Sequence, residues 1–316
     1  MKHPKVTIFV PVKNGEMTLK KCIDSLLKLD YPKKEIWIID NMSTDSTPDI
    51  LKSYGKKIKW QKMSGKVPKL HNYVLRNVKT KFLAYTNADC VIKKDWLKRL
   101  IEGFDSDDIV ATAGYFGTPE DVDKLQLLIG REMEKRYEKF PKYIRRSPDA
   151  TLCVRTDVAK KVKFNEKFFW SWESDFGYRL TKKGKMKYIP EAVVYHYHRS
   201  TWKGFFKQQL NNGKATLLLF STKRKEKVTG DHISTPTMGL MLLFFYLIFV
   251  SLFLGIFFRS FLILSVISFI LFSLLTIKDA ISLSNDFFEF FYYIGIFLGS
   301  CRGNRNDKIA YQIRKN

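Results

Sequence analysis

Three apolar runs, each ending in a cluster of polar residues, constrain this chain more than any other feature. Val6-Thr7-Ile8-Phe9-Val10 ends in Pro11-Val12-Lys13-Asn14, and Ile36-Trp37-Ile38-Ile39 ends in Asp40-Asn41-Met42-Ser43-Thr44-Asp45. Phe82-Leu83-Ala84-Tyr85-Thr86 ends in Asn87-Ala88-Asp89-Cys90. Such near-continuous runs read as strands buried on both faces, and an open α/β sheet keeps its ligands beyond the carboxyl ends of its strands. Three strands therefore deliver polar groups to one edge. No Gly-x-Gly-x-x-Gly follows the first run, which argues for a nucleotide site outside the ordinary dinucleotide fold.

Helical patterns alternate with these strands. Residues 16–29 place Leu19, Cys22, Ile23, Leu26 and Leu27 on one face, and Tyr31-Pro32 stops the helix. Residues 43–54 read as a capped helix, with Ser46 or Thr47 at the cap, Pro48 in the first turn and Gly55 at the end. Further helices are expected over 71–78, 95–104 and 125–140, and strands over 109–114 and 192–195. The alternation predicts an α/β fold: a mostly parallel sheet with helices on both faces.

The net charge of +24, from 55 Lys+Arg against 31 Asp+Glu, calls for an anionic partner. Nucleic acid, anionic lipid and a phosphorylated substrate all qualify. The four cysteines (Cys22, Cys90, Cys153 and Cys301) are scattered and form no Cys-x-x-Cys pair. A zinc site or disulfide framework is therefore not expected, and a reducing cytoplasm fits. The five-residue apolar run after Lys5 is too short for a signal-peptide core, which keeps the catalytic part in the cytoplasm.

The last quarter differs in composition. Residues 238–258 carry no charge and span about 31 Å as a helix, enough to cross the hydrocarbon layer. Arg259-Ser260 precedes a second apolar stretch over 261–277, and a third over 287–301 contains Glu289. Lys223, Arg224, Lys225 and Lys227 lie before this block and Arg302, Arg305, Lys308, Arg314 and Lys315 after it. The positive-inside rule puts both flanks in the cytoplasm and so favours a two-helix transmembrane hairpin over three spans. Upstream, Trp202, Phe205, Phe206 and Leu210 share one helical face, with Lys203, Lys207 and Lys214 on the rest, a pattern suited to a membrane surface. The expected division is a catalytic domain over 1–220, a basic linker over 221–237 and a membrane region over 238–316. A nucleic-acid partner is set aside: no nucleic-acid motif is present and the hydrophobic block has no role in that account.

Five blocks in order make the chain resemble the inverting family 2 glycosyltransferases of GT-A fold. They are Pro11-Val12-Lys13-Asn14-Gly15, residues 38–47 beginning Ile38-Ile39-Asp40-Asn41, Thr86-Asn87-Ala88-Asp89-Cys90, residues 172–180 beginning Trp172-Glu173-Ser174-Asp175, and residues 190–196 ending Val194-Tyr195-His196. The resemblance covers roughly residues 5 to 220. It implies a nucleotide-sugar donor, a divalent metal (Mg or Mn), and transfer to an acceptor with inversion at the anomeric carbon. It also implies that Asp40 faces the nucleotide base, a carboxylate accepting from the base N–H of uracil or guanine. The plainer reading of Asp40 is a turn cap through Ser43 and Thr44. Pro11, Val12 and Asn14 shape the same pocket, and Lys66 or Lys69 is placed to reach the diphosphate.

Asn87-Ala88-Asp89 stands where the family usually has Asp-x-Asp, so Asp89 resembles the metal ligand and Asn87 departs from the pattern by removing a charge. Glu173 occupies the position of the catalytic carboxylate that takes the acceptor proton. Asp175, two residues on, is the second catalytic candidate, or instead orients Arg179 or accepts from the sugar. His196 resembles a group on the metal or the diphosphate; a hydrogen-bonded core histidine is the alternative. The reading that follows is a multi-pass cell-membrane glycosyltransferase with its catalytic domain facing the cytoplasm. It moves a sugar from a UDP- or GDP-sugar to a lipid-linked or cell-surface glycan. A polyprenyl-phosphate sugar synthase and a non-catalytic binding protein are the alternatives.

Overall fold

The first apolar runs form neighbouring parallel strands. In the computed structural model, which describes residues 3–146, 149–222, 236–258 and 260–279, β1 (Val6–Val12) leads into α1 (Leu19–Leu27) and β2 (Lys34–Asp40) into α2 (Thr47–Ser53). β3 (Lys59–Lys62) leads into α3 (Val67–Asn77), which returns the chain to β4 (Phe82–Tyr85). These strands lie in the order β3-β2-β1-β4, each pair parallel, and the helices supply the crossovers that parallel pairs need. Val12 pairs with Asp40 and Phe9 with Tyr85, so the polar ends of the three runs finish at one edge. All four residues of β4 and nearly all of β1 are buried, which is why neither run alternates with polar residues.

The starts of α1, α2 and α3 differ from expectation, α2 beginning at Thr47 rather than 43. α1 begins at Leu19, after a segment in which the N–H groups of Asn14, Gly15 and Glu16 are bonded to the side chains of Ser43, Thr47 and Asp45. α3 begins at Val67, ahead of the expected 71–78, with Pro68 in its first turn, where a missing N–H costs nothing.

The chain continues through β5 (Cys90–Ile92), α4 (Trp96–Glu102), β6 (Ile109–Gly117), α5 (Lys124–Glu138) and β7 (Tyr143–Ile144). β8 (Leu152–Arg155), α6 (Thr156–Val162), α7 (Trp172–Leu180) and β9 (Lys185–His196) follow. The full sheet runs β3-β2-β1-β4-β8-β6-β9-β5, with β7 on β9. The expected mostly parallel sheet is corrected to a mixed one: β4–β8, β6–β8, β5–β9 and β7–β9 are antiparallel and β6–β9 is parallel. The reason is connection length. Residues 86–89 between β4 and β5 are too few for a parallel crossover, so β5 leaves β4 and pairs with β9 instead. β9 is also longer than the expected 192–195, since Lys185, Lys187, Pro190 and Glu191 disguise its first half.

The chain separates into two units, Met1–Arg199 and Ser200–Asn316. α8 (Trp202–Thr222), expected with the catalytic part, falls in the second unit with α9 (Pro236–Gly255) and α10 (Ser260–Asp279). α9 and α10 pack antiparallel. Phe245 meets Phe272 with ring centroids 6.0 Å apart, Ser265 Oγ donates to the Ile248 carbonyl, and Gly255 admits Leu262, whose Cδ2 would lie 2.4 Å from an added Cβ. Away from this seam, Phe253, Ile256, Phe257, Ile263, Val266 and Phe269 are exposed. The stretches over 238–258 and 261–277, expected to cross a membrane, form a helical hairpin. Among the described residues, however, no helix is long and apolar enough to cross a membrane. The expected linker over 221–237 loses its ends to α8 and α9; its residues 223–235, the stretch over 287–301 and the basic tail lie outside the described residues.

Candidate functional site

The loops after β1 and β2 are laced together by their own polar side chains. Ser43 Oγ accepts from the Asn14 N–H at 2.8 Å, Asn14 Oδ1 accepts from the Thr44 N–H at 2.9 Å, and Thr47 Oγ1 accepts from the Gly15 N–H at 2.8 Å. Asn14 and Met42 both hold positive φ, 52° and 56°. Gly15 is required by space: an added Cβ would lie 2.6 Å from Val12 Cγ2 and 3.8 Å from the Ala88 methyl. The Pro11-Val12-Asn14 loop therefore abuts the Asn87-Ala88-Asp89 turn.

Asp40 is fully buried at the end of β2. Its Oδ1 accepts from the Ser43 N–H at 2.9 Å, which is the turn cap of the plainer reading. Its Oδ2 is buried with no hydrogen-bond partner among the described residues. A buried carboxylate oxygen without a donor is costly and calls for an explanation; an incoming N–H supplies one. Next to it, Asn41 Nδ2 donates to the Gly65 carbonyl at 2.9 Å and its Oδ1 accepts from the Gly65 N–H at 3.1 Å. This clamp sets Lys66, the exposed residue capping α3, beside the β2 edge. Nothing in the sequence marked Asn41 for this role.

The antiparallel β5–β9 ladder places Cys90 opposite His196 and brings Asp89 to the end of β9. His196 Nε2 lies 3.3 Å from Asp89 Oδ1, with side-chain exposures of 16% and 34%. Burial works to raise the Asp89 carboxyl, but the charge and hydrogen bond of His196, with Arg199, outweigh it and hold the group below the usual carboxylate range. One oxygen of Asp89, one nitrogen of His196 and the Cys90 sulfur all lie within 4.8 Å of one another. Burial, then the charge of Asp89 and the nearby Cys22, push the Cys90 thiol well up. Hard cations such as Mg²⁺ and Mn²⁺ take oxygen and imidazole donors in preference to a thiol. The remaining carboxylate and imidazole suit a cation such as Mn²⁺ or Mg²⁺ that completes its shell with substrate phosphates and water. Asn87 accepts at its carbonyl from Cys90 N–H (3.1 Å) and from the Cys22 thiol (3.4 Å), which fixes the turn.

Glu173 enters in the first turn of α7, behind Ser171 at φ 54°, and is half-buried. Burial first, then the charges of Tyr188 and Glu173, push the Tyr137 phenol well up. Tyr137 packs on Phe116 (5.6 Å between centroids), and Phe116 meets His196 edge-on at 5.2 Å. Asp175, by contrast, is buried, and its Oδ2 accepts from Arg179 Nε at 2.8 Å and Nη2 at 2.6 Å. Arg179 also donates to the Val162 carbonyl, tying α7 to the end of α6. A separate cleft of about 770 Å³ lies between α1 and β5, lined by Lys21, Lys28, Lys94 and Asp121, and contains none of these groups.

Residues 7–182 match the family described as Glycosyl transferase family 2, and the chain belongs to that family. An uncharacterized glycosyltransferase of Rickettsia typhi is 25% identical over 204 residues, covering 60% of this chain and 63% of the relative. A dolichyl N-acetyl-α-D-glucosaminyl phosphate 3-β-D-2,3-diacetamido-2,3-dideoxy-β-D-glucuronosyltransferase of Methanococcus voltae is 26% identical over 238 residues, covering 68% of this chain and 73% of that protein. Among solved structures, a mannosyltransferase of Pyrobaculum calidifontis in complex with GDP-Man and Mn²⁺ superimposes with a TM-score of 0.56 at 16% identity. It covers 71% of this chain and 65% of its own, and shares the fold. The chain spans less than two thirds of the Rickettsia relative's length.

Proposed function

We propose that this chain transfers a sugar from a UDP- or GDP-sugar to a hydroxyl of a lipid-linked or cell-surface glycan, with inversion at the anomeric carbon. The observation that carries the reading is one sheet edge presenting both the unpartnered, buried Oδ2 of Asp40 and the paired Asp89 and His196. Asp40 accepts from the ring N–H that uracil and guanine each carry, with Pro11, Val12 and Asn14 closing the base and ribose pocket. Lys66 meets the diphosphate, Ala88 puts only a methyl against the donor, and Asn87 orients a water. Asp89 and His196 hold the divalent cation, which when bound supplies positive charge against the departing nucleoside diphosphate. Glu173 takes the proton of the acceptor hydroxyl as it attacks from the face opposite the leaving group. Asp175 serves by fixing Arg179 and the start of α7.

The acceptor class rests on the relatives. The Methanococcus protein is named for a dolichyl phosphate-linked sugar, and a 31% identical stretch of 101 residues belongs to a poly(ribitol-phosphate) β-N-acetylglucosaminyltransferase of Staphylococcus aureus. The exposed apolar side chains of α9 and α10 support attachment of the hairpin to a membrane, with the catalytic unit on its cytoplasmic side.

A panel of nucleotide sugars tests the reading by thermal shift, with and without Mn²⁺. A ligand at 100 times its Kd stabilises by about 2.7 kcal/mol, roughly 5–10 °C for a domain of this size. A UDP- or GDP-sugar should give such a shift only with the metal. No shift from any donor, with or without metal, overturns the proposal.

A further inference from the structure

Both ring nitrogens of His196 have partners. Nε2 faces Asp89 Oδ1 at 3.3 Å, and Nδ1 lies 3.1 Å from Nδ1 of His198. Two imidazole nitrogens at that distance share one proton, so one donates and the other accepts. The rings stand at 75° with centroids 4.6 Å apart, and His198 is buried. The His198 carbonyl accepts from Gln126 Nε2 at 2.8 Å, anchoring this segment to α5. On its other side His196 rests edge-on against Phe116. The His196 ring is therefore held in place by Phe116 and His198 as well as by Asp89.

A histidine that ligates a cation through Nε2 carries its proton on Nδ1, and the partner of that N–H fixes the tautomer and the ring plane. We propose that His198 is this partner. Its Nδ1 accepts from the Nδ1–H of His196 and so turns the Nε2 lone pair toward the ion shared with Asp89. His198 itself does not touch the ion; it is a positioning residue. The inference rests on Asp89 and His196 being the metal ligands, and adds a residue that the family blocks did not single out.

Mn²⁺ binding to the full chain, titrated by electron paramagnetic resonance with saturating UDP and separately with saturating GDP, tests it. His198→Phe should weaken Mn²⁺ about 10–100-fold with an unchanged melting temperature. His198→Asn, whose amide oxygen still accepts, should recover most of the loss. Nitrogen modulation of the wild-type Mn²⁺ signal should report one directly bound imidazole. Wild-type Mn²⁺ affinity in folded His198→Phe, or two bound imidazoles in the wild type, overturns the positioning role and leaves the metal site standing. If the wild type takes no Mn²⁺ with either nucleotide, or His196→Ala binds it as well as the wild type, the metal site and the positioning role both fall.

Discussion

The side-chain amide of Asn41 grips the backbone of Gly65 from both sides, donating to its carbonyl and accepting from its N–H. Twenty-four residues apart in sequence, the two tie the end of β2 to the loop that starts α3. Asn41→Leu removes both hydrogen bonds and leaves the Gly65 groups to find water. The expected cost is about 1–3 kcal/mol of stability and a several-fold rise in donor KM with kcat little changed. Chemical denaturation and donor saturation curves check both numbers, and an unchanged KM would show that this loop does not serve the donor.

Asp40→Asn tests the base contact. The amide oxygen can keep the bond from the Ser43 N–H, while an NH₂ replaces the orphaned Oδ2 and opposes an incoming N–H. A hydrogen bond to a charged group contributes about 1.5–3 kcal/mol, so affinity for UDP or GDP should fall roughly 10–150-fold. Calorimetric titration of the nucleotide measures this; undiminished binding would return Asp40 to the role of turn cap alone.

Asp89→Ala removes the carboxylate that faces His196 in the metal cluster. Metal-dependent sugar transfer should drop at least about 100-fold, in the range of losing a principal electrostatic stabiliser. Circular dichroism should show the fold intact. Full activity in this variant, or activity unaffected by EDTA, would remove the metal assignment.

Glu173→Gln and Asp175→Asn should separate rate from stability. Losing a general base costs about 10²–10⁴-fold in transfer, so the first variant should fold normally and turn over slowly. The second removes the negative charge opposite Arg179 and leaves a partly buried guanidinium without its counter-charge, which should lower stability by roughly 2–4 kcal/mol. A normal rate in Glu173→Gln would dismiss it as the base.

His71 provides a pH test of the core. Its ring lies among Phe9, Tyr85 and Phe164 at 4.4–5.0 Å, and burial lowers its pKa from 6.5 to about 3. Between those values the unfolded chain takes up a proton that the folded one refuses. Stability is therefore lost as pH falls below about 6.5, by about 1.4 kcal/mol per pH unit. From pH 7.5 to 5.0 the histidine should account for about 2 kcal/mol of lost stability. Urea midpoints of wild type and His71→Phe should diverge by that amount in their pH dependence, and parallel curves would refute it.

β1, β2 and β4 were legible in the sequence because burial leaves uninterrupted apolar runs, and the residues just past those runs fall at one edge in any parallel arrangement. The Asp175–Arg179 pair was legible for a local reason: helical neighbours four apart share a face. The parallel sheet was overestimated because strand direction depends on how far the chain must travel, and the four-residue step from β4 to β5 sends β5 to the far side. That pairing is a tertiary decision. It joins Asp89 to His196 across 107 positions of sequence, and through His196 to His198. The depth of Asp40, its unpartnered oxygen and the Asn41–Gly65 clamp also belong to tertiary structure. They arise where separate loops pack together, and no pattern within one segment encodes which distant backbone group will meet a given side chain.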